Sequence, residues 1–430
     1  MDRKIMRRAA AIGVGLLLAG TVGATAQQTA GGYAWEPFQP FEAEDMHLLG
    51  VTTLPEGGLV VFGDQVDEGL VILTSADGGE TWTETLLSSA DDSVWAPLFA
   101  FHGRHEGEDT FSIAAHGDGL VAARTVPGKT RRTFILTSPD GVEWAIADKL
   151  KNVHVEGMLS TPDGLVMHGL EFRKAEGFKK ELGGHPTLWR SPDGMEWETH
   201  EITRPIYKRG TDFRAFDRVV RSADGSWMAL GGDLRFPKKG EPFVLYSIWT
   251  ASDELNWTEV TPPTLNEGRQ VFWRLFDTTP NGFLFGGGYL DRKRGAGEQG
   301  LWLTPDGEAW EQVWESDLTA TLAPGPELTV ATPSGVVAWS APFVWTESSF
   351  DDGKSQTQAG SPMYRSSDGR TWEHDSATDV LEGVWPGAAH VMPDGRVLIS
   401  GTDITECLGK PLFCAFGSDE PPVVLIGTPA

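Results

Sequence analysis

Four charged residues recur at one position of this sequence. Seven short turn signals end in glycine and lead into mostly apolar runs, at Gly58, Gly119, Gly164, Gly225, Gly282, Gly335 and Gly395. Eight residues before them stand Gly50, Phe111, Glu156, Asp217, Arg274, Glu327 and Gly387. Arg218 adjoins Asp217, and His154 lies two residues before Glu156. Carboxylates and guanidiniums that converge can hold a sugar acid. Glu156 and Asp217 are candidates for acid/base catalysis if their surroundings split their pKa values. Arg218, Arg274, Glu327 and His154 are the candidate ligand-binding residues. The plainer alternative is a set of paired ions at a wet entrance. Either reading requires a fold that brings one position of seven repeats together.

Other chemistry is sparser. Cys407 and Cys414 are the two cysteines, and in an exported chain two this close are expected to pair. His102, His105 and Glu106 are of metal-ligand type, but they lack an HExxH spacing or a helix to present them. No metal or cofactor is expected.

The elements that would position these residues are visible as repeats. The heptad Ser/Thr-x-Asp-Gly-x-x-Trp occurs at Ser138–Trp144, Ser191–Trp197, Thr304–Trp310 and Ser366–Trp372. A copy with one extra residue runs from Ser75 to Trp82, and a decayed copy keeps Asp253 and Trp257. These six tryptophans are 62, 53, 60, 53 and 62 positions apart. Aspartate in a tight turn accepts backbone N–H bonds, and glycine takes the positive φ that other residues resist. Each unit therefore reads strand, Gly turn, strand, variable loop, strand, Asp-Gly heptad, strand. Four antiparallel strands per repeat predict a blade, and seven Gly turns predict a seven-bladed all-β propeller, with six blades as the alternative.

The heptad resembles the Asp box, or BNR repeat, of sialidases and related propellers, and the resemblance covers nearly the whole chain after the N-terminal segment. It implies a single propeller domain with the boxes in the turns between third and fourth strands. It implies structural box aspartates rather than catalytic ones. The family includes sialidases, other glycosidases, sorting receptors and photosystem assembly factors, so the motif marks the repeat and not an activity. The arginine triad, Tyr–Glu pair and acid/base Asp of sialidases have no match here, and the nearest string to Arg-Ile-Pro is Arg204-Pro205-Ile206.

The seventh Gly turn, at Gly395, is followed by no heptad with a Trp, whereas Gly32-Tyr33-Ala34-Trp35-Glu36 near the other end matches Gly194–Glu198. The N-terminal segment is thus expected to supply the outer strand of the last blade, the rival being that Pro422–Ile426 completes it alone. Residues 1–26 read as a signal peptide: Lys4, Arg7 and Arg8, then an apolar stretch Ala9–Val22, then Ala24-Thr25-Ala26. Residues 27–430 would form the domain, monomeric and secreted or held in the periplasm or cell envelope.

No later segment is long and apolar enough to suggest a membrane-spanning helix. With 35 basic and 61 acidic residues the formal charge is −26, which argues against nonspecific nucleic-acid binding. Against that background the second to fifth loops between second and third strands are basic. They carry Arg124, Lys129, Arg131, Arg132, Arg173, Lys174, Lys179, Lys180, Arg235, Lys238, Lys239, Arg292, Lys293 and Arg294. The third loop, around Glu171–Pro186, and the sixth, around Ala341–Pro362, are long. Long loops on a rigid scaffold are where function concentrates. Two functions stay open. One is recognition of an anionic carbohydrate at the loop face, with hydrolysis as its extension in the manner of a sialidase-like glycoside hydrolase. The other is noncatalytic binding of a protein or peptide.

Overall fold

The computed structural model describes residues 28–30, 33–37, 46–54, 56–65, 69–87, 110–126, 131–174, 182–202, 211–235, 243–253, 255–263, 270–291, 296–316, 326–340, 343–344, 356–357, 363–375, 384–392, 394–403, 405 and 422–429. Residues 1–26, expected to be a signal peptide, the two cysteines and the His102–Glu106 stretch lie outside them.

Seven antiparallel sheets form a β-propeller. Their innermost strands are Met46–Thr53, Thr110–His116, Val153–Thr161, Thr211–Arg221, Gln270–Thr279, Pro326–Thr332 and Val384–Val391. Each touches the innermost strand of the next blade, and the seventh returns to the first. The core lies between sheets. Phe62 and Ile72 of the first blade pack on Leu120, Ala122 and Phe134 of the second. Met228 and Ile248 of the fourth pack on Trp273, Phe285 and Trp302 of the fifth. Apolar residues on both faces of a strand are what such stacking requires, because each sheet is covered on two sides.

The ring closes through both ends of the chain. In the seventh blade Val384–Val391 pairs with Val397–Asp403, which pairs with Pro422–Pro429, which pairs with Tyr33–Pro37; Gln28–Ala30 adds an edge strand. The two rival closures are therefore combined: the C-terminal strand is third and the N-terminal strand fourth. Trp35 is buried, edge-on to Trp339 at 6.0 Å between centroids.

The heptads make the expected turns. Ser138 Oγ accepts the Gly141 N–H at 2.7 Å, Asp140 Oδ1 accepts Val142 and Glu143 N–H at 2.9 and 2.8 Å, and Trp144 Nε1 donates to Gly141 O at 2.9 Å. The decayed copy keeps the core of this pattern, with Asp253 Oδ1 accepting the N–H groups of Leu255 and Asn256. Such N–H bonds stabilise the ionised form, and they are the leading cause holding the carboxyls of Asp140, Asp193, Asp306 and Asp368 below the usual range.

Heptad turns are also joints between blades. Thr74 of the first blade donates to Gly141 O at 2.7 Å, and Asn281 of the fifth donates to Asp368 O of the sixth at 2.8 Å. At the closure, Arg396 of the seventh blade reaches Gly78 O of the first at 3.2 Å. Gly194 has φ +77°, and a Cβ there would stand 2.6 Å from Val121 of the preceding blade. Gly57 has φ +93° with open space around it. Both alanine substitutions incur the positive-φ penalty, but Gly194→Ala also crowds the joint. It is expected to destabilise by about 1–3 kcal/mol more than Gly57→Ala in urea unfolding.

Two loop expectations are corrected. Arg124 is not on the loop face: it lies within the strand Gly119–Val126 and is buried. The third loop is largely not a loop, because Gly164–Lys174 and Leu182–Ser191 continue pairing as far as Lys174 opposite Leu182. The strands run on because Phe172 finds a buried place under the Arg131 guanidinium, 4.4 Å from the ring centroid.

Candidate functional site

The position of each candidate residue depends on irregularities of the inner strands. The pairings around Leu49, Glu156, Asp217, Glu327 and Gly387 skip these residues, so each is a β-bulge. A bulge leaves its residue outside the ladder and re-aims neighbouring side chains. In the fifth blade the bulge falls at Phe276, nearer the turn, and the second inner strand has none.

This corrects the single ring of charges expected from an equal offset of eight. Glu156, Asp217 and Glu327 share the bulge position, but Arg274 is in regular pairing, opposite Gly286. Counted in pairs from the turn, Arg274 shares its row with Arg218, opposite Leu230, and with Gly157, opposite His168. The strands of Asp217 and Glu327 are described, but their side chains lie outside the described residues.

The third, fourth and fifth blades thus bring together a group that the sequence only partly announces. His154 Nε2 lies 3.0 Å from Glu156 Oε1, with the two side chains 12% and 27% exposed. Arg218 and Arg274 are both exposed. The Arg218 guanidinium is nevertheless crowded by protein, and desolvation lowers its pKa while the charge of Asp277 opposes the shift. Asp277 is half-buried and accepts the Ala331 N–H of the sixth blade through Oδ2 at 3.1 Å. His168, on the second strand of the third blade, is 4% exposed, and its Nδ1 lies 3.1 Å from Phe216 O. Burial pushes its pKa down to about 4; the Phe216 bond and the Glu156 charge oppose the shift, and the Arg218 charge adds slightly to it.

The arrangement presents two guanidiniums from adjacent blades, a carboxylate with an imidazole beside it, and a neutral imidazole behind. Guanidiniums in this setting recognise carboxylate or sulfate in a fork geometry. His168 and Asp277 escaped sequence reasoning because neither occupies the counted position. The usable signal was Gly157, a bare inner-strand position beside a charged one.

Of the other basic loop residues, Arg173 is held between Glu171 at 2.6 Å and Glu201 at 2.8 Å, so its charge is met within the third blade. Lys129, Lys179, Lys180, Lys238, Lys239, Arg292, Lys293 and Arg294 lie outside the described residues. No group of His, Cys, Asp and Glu suited to a metal occurs among the described residues.

No protein-family model and no curated protein matches the chain. Solved structures do. A polysaccharide lyase, an ulvan lyase, is similar with a TM-score of 0.53 at 10% identity, over 92% of this chain and 95% of the lyase. YCF48 from Cyanidioschyzon merolae is similar with a TM-score of 0.46 at 16% identity, over 92% of this chain and 99% of that one. An α-L-arabinanase of Penicillium chrysogenum is similar with a TM-score of 0.44 at 12% identity, over 93% and 98%. At these identities the likeness is one of fold: the chain is a β-propeller.

Proposed function

We propose that the chain is a secreted propeller of the Asp-box type that binds an anionic carbohydrate at the mouth of its channel. The observation that carries the proposal is the pair Arg218 and Arg274, in one row of the innermost strands of adjacent blades and both exposed. Two guanidiniums can grip one carboxylate from two sides, while Glu156 and His154 stand beside it to meet hydroxyls. Hydrolysis is a second step of the proposal, with Glu156 and Asp217 as its acid/base pair. The ulvan lyase that shares the fold was solved with an oligosaccharide of glucuronic acid and rhamnose 3-sulfate, which suggests the first probe.

The test is titration of the chain from Gln27 with a glucuronic-acid oligosaccharide by calorimetry. Arg274→Ala is expected to weaken binding roughly 10- to 100-fold, the size of a charge-assisted hydrogen bond, with an unchanged melting temperature. Equal affinity in wild type and variant would remove the channel mouth as the site. Capture of an acidic peptide with no glycan binding would favour the noncatalytic peptide-binding alternative. Turnover of a fluorogenic uronide, lost in Glu156→Gln, would establish the hydrolytic step.

A further inference from the structure

Gly157 stands in the same row as Arg218 and Arg274 and contributes no side chain to the channel wall. Behind it is His168, its partner across the ladder. A Cβ at residue 157 would overlap His168 Nε2. The missing side chain is therefore what makes room for the edge of the imidazole. Nδ1 points the other way, to Phe216 O at 3.1 Å. A carbonyl can only accept, so Nδ1 carries the proton and Nε2 of the neutral ring is a bare lone pair. Among the described residues no hydrogen bond to it is seen, and Glu156 and Arg218 act on the ring through charge.

We propose that His168 is the acceptor of a ligand hydroxyl, read through the gap at Gly157, and that the ligand is a sugar acid whose hydroxyl lies next to the carboxylate held by the arginines. This rests on the channel-mouth reading and names the substrate class of that site. An acceptor on a side chain this enclosed is a discriminator, because a ligand without the hydroxyl forgoes the bond. It also explains a neutral imidazole within reach of the Arg218 charge: a protonated ring would repel that guanidinium and could not accept. The ring stays neutral through the physiological range, since burial holds its pKa down to about 4.

The experiment compares methyl glucuronide with its 2-, 3- and 4-deoxy forms by NMR titration. One deoxy form is expected to bind wild type roughly fivefold more weakly, the size of one neutral hydrogen bond. His168→Asn keeps a donor for Phe216 O and removes Nε2, and in it that fivefold difference should vanish. The same discrimination in His168→Asn as in wild type would overturn the proposal. Failure of wild type to bind any of the four compounds would instead strike the channel-mouth reading beneath it. Should His168→Asn fold poorly, 15N spectra of wild-type histidines decide alone. A proton on Nδ1 and an Nε2 signal that moves on adding methyl glucuronide support the assignment. A proton on Nε2, or a signal that does not move, rejects it.

Discussion

A chain begun at Phe38, lacking the strand Tyr33–Pro37, is expected to lose its cooperative melt and to aggregate. The strand pairs along Pro422–Pro429, with Trp35 opposite Gly427. A Cβ on Gly427 would stand 2.7 Å from the indole of Trp35, so the glycine is what lets the ring lie flat on the sheet. Trp35 also joins the cluster of Trp339, Val337, Val397 and Leu425 that cements the sixth blade to the seventh. Trp35→Ala alone should cost about 3–5 kcal/mol, a large part of the 5–15 kcal/mol typical of whole domains. Truncation adds the exposure of a long apolar strand edge, which invites pairing with other chains. Calorimetry and light scattering read both effects. A synthetic peptide of residues 28–40 added in trans should restore the melt. A truncated chain that melts where the full one does would mean that this strand does not hold the ring shut.

The second large effect is acid sensitivity starting at an unusually mild pH. His168 and His390 are both pushed down to about 4, chiefly by burial. An unfolded histidine titrates near 6.5, so between about 6.5 and 4 the unfolded chain binds more protons than the folded one. Stability therefore falls as pH is lowered through that window, by about 3 kcal/mol for each histidine. His390, whose Nε2 is 3.4 Å from Thr53 Oγ1, adds its loss at the joint between the seventh and first blades. The heptad aspartates are held low, and their contribution disappears only at lower pH. Urea unfolding at pH 7, 5.5 and 4 should show the loss, and His390→Gln should flatten about half of it. A stability curve that is level down to pH 4 would refute the assignment.

Much of this architecture was legible because the heptad is a local device. Its serine, aspartate, glycine and tryptophan satisfy one another within seven residues, so spacing alone locates the turns. Even the decayed copy at Asp253 could be placed. Closure was legible from one misplaced Trp-Glu pair at Trp35 and Glu36, though not the order of the two terminal strands, since pairing partners hundreds of residues apart leave no local trace. The site was legible only in part. Counting back from a turn assumes a regular ladder, and bulges break that assumption: Glu156 and Asp217 share a level, while Arg274 falls in the row of Arg218. Arg124 looked like a loop cation because burial of a long charged side chain depends on neighbours that a sequence does not reveal. His168 was invisible for the opposite reason, being a core position by pattern whose ring edge has room only because Gly157 carries no side chain.

The heptad turns that bond across blades lie on the Gly-turn face, and the candidate ligand groups lie toward the other. The mechanical frame and the chemical surface are thereby decoupled. Insertions or exchanges in the segment between Lys174 and Leu182 leave every joint at Gly141, Gly194, Gly307 and Gly369 untouched. Such a molecule can change its ligand without renegotiating its stability, and descendants that share the frame can diverge beyond recognition in sequence.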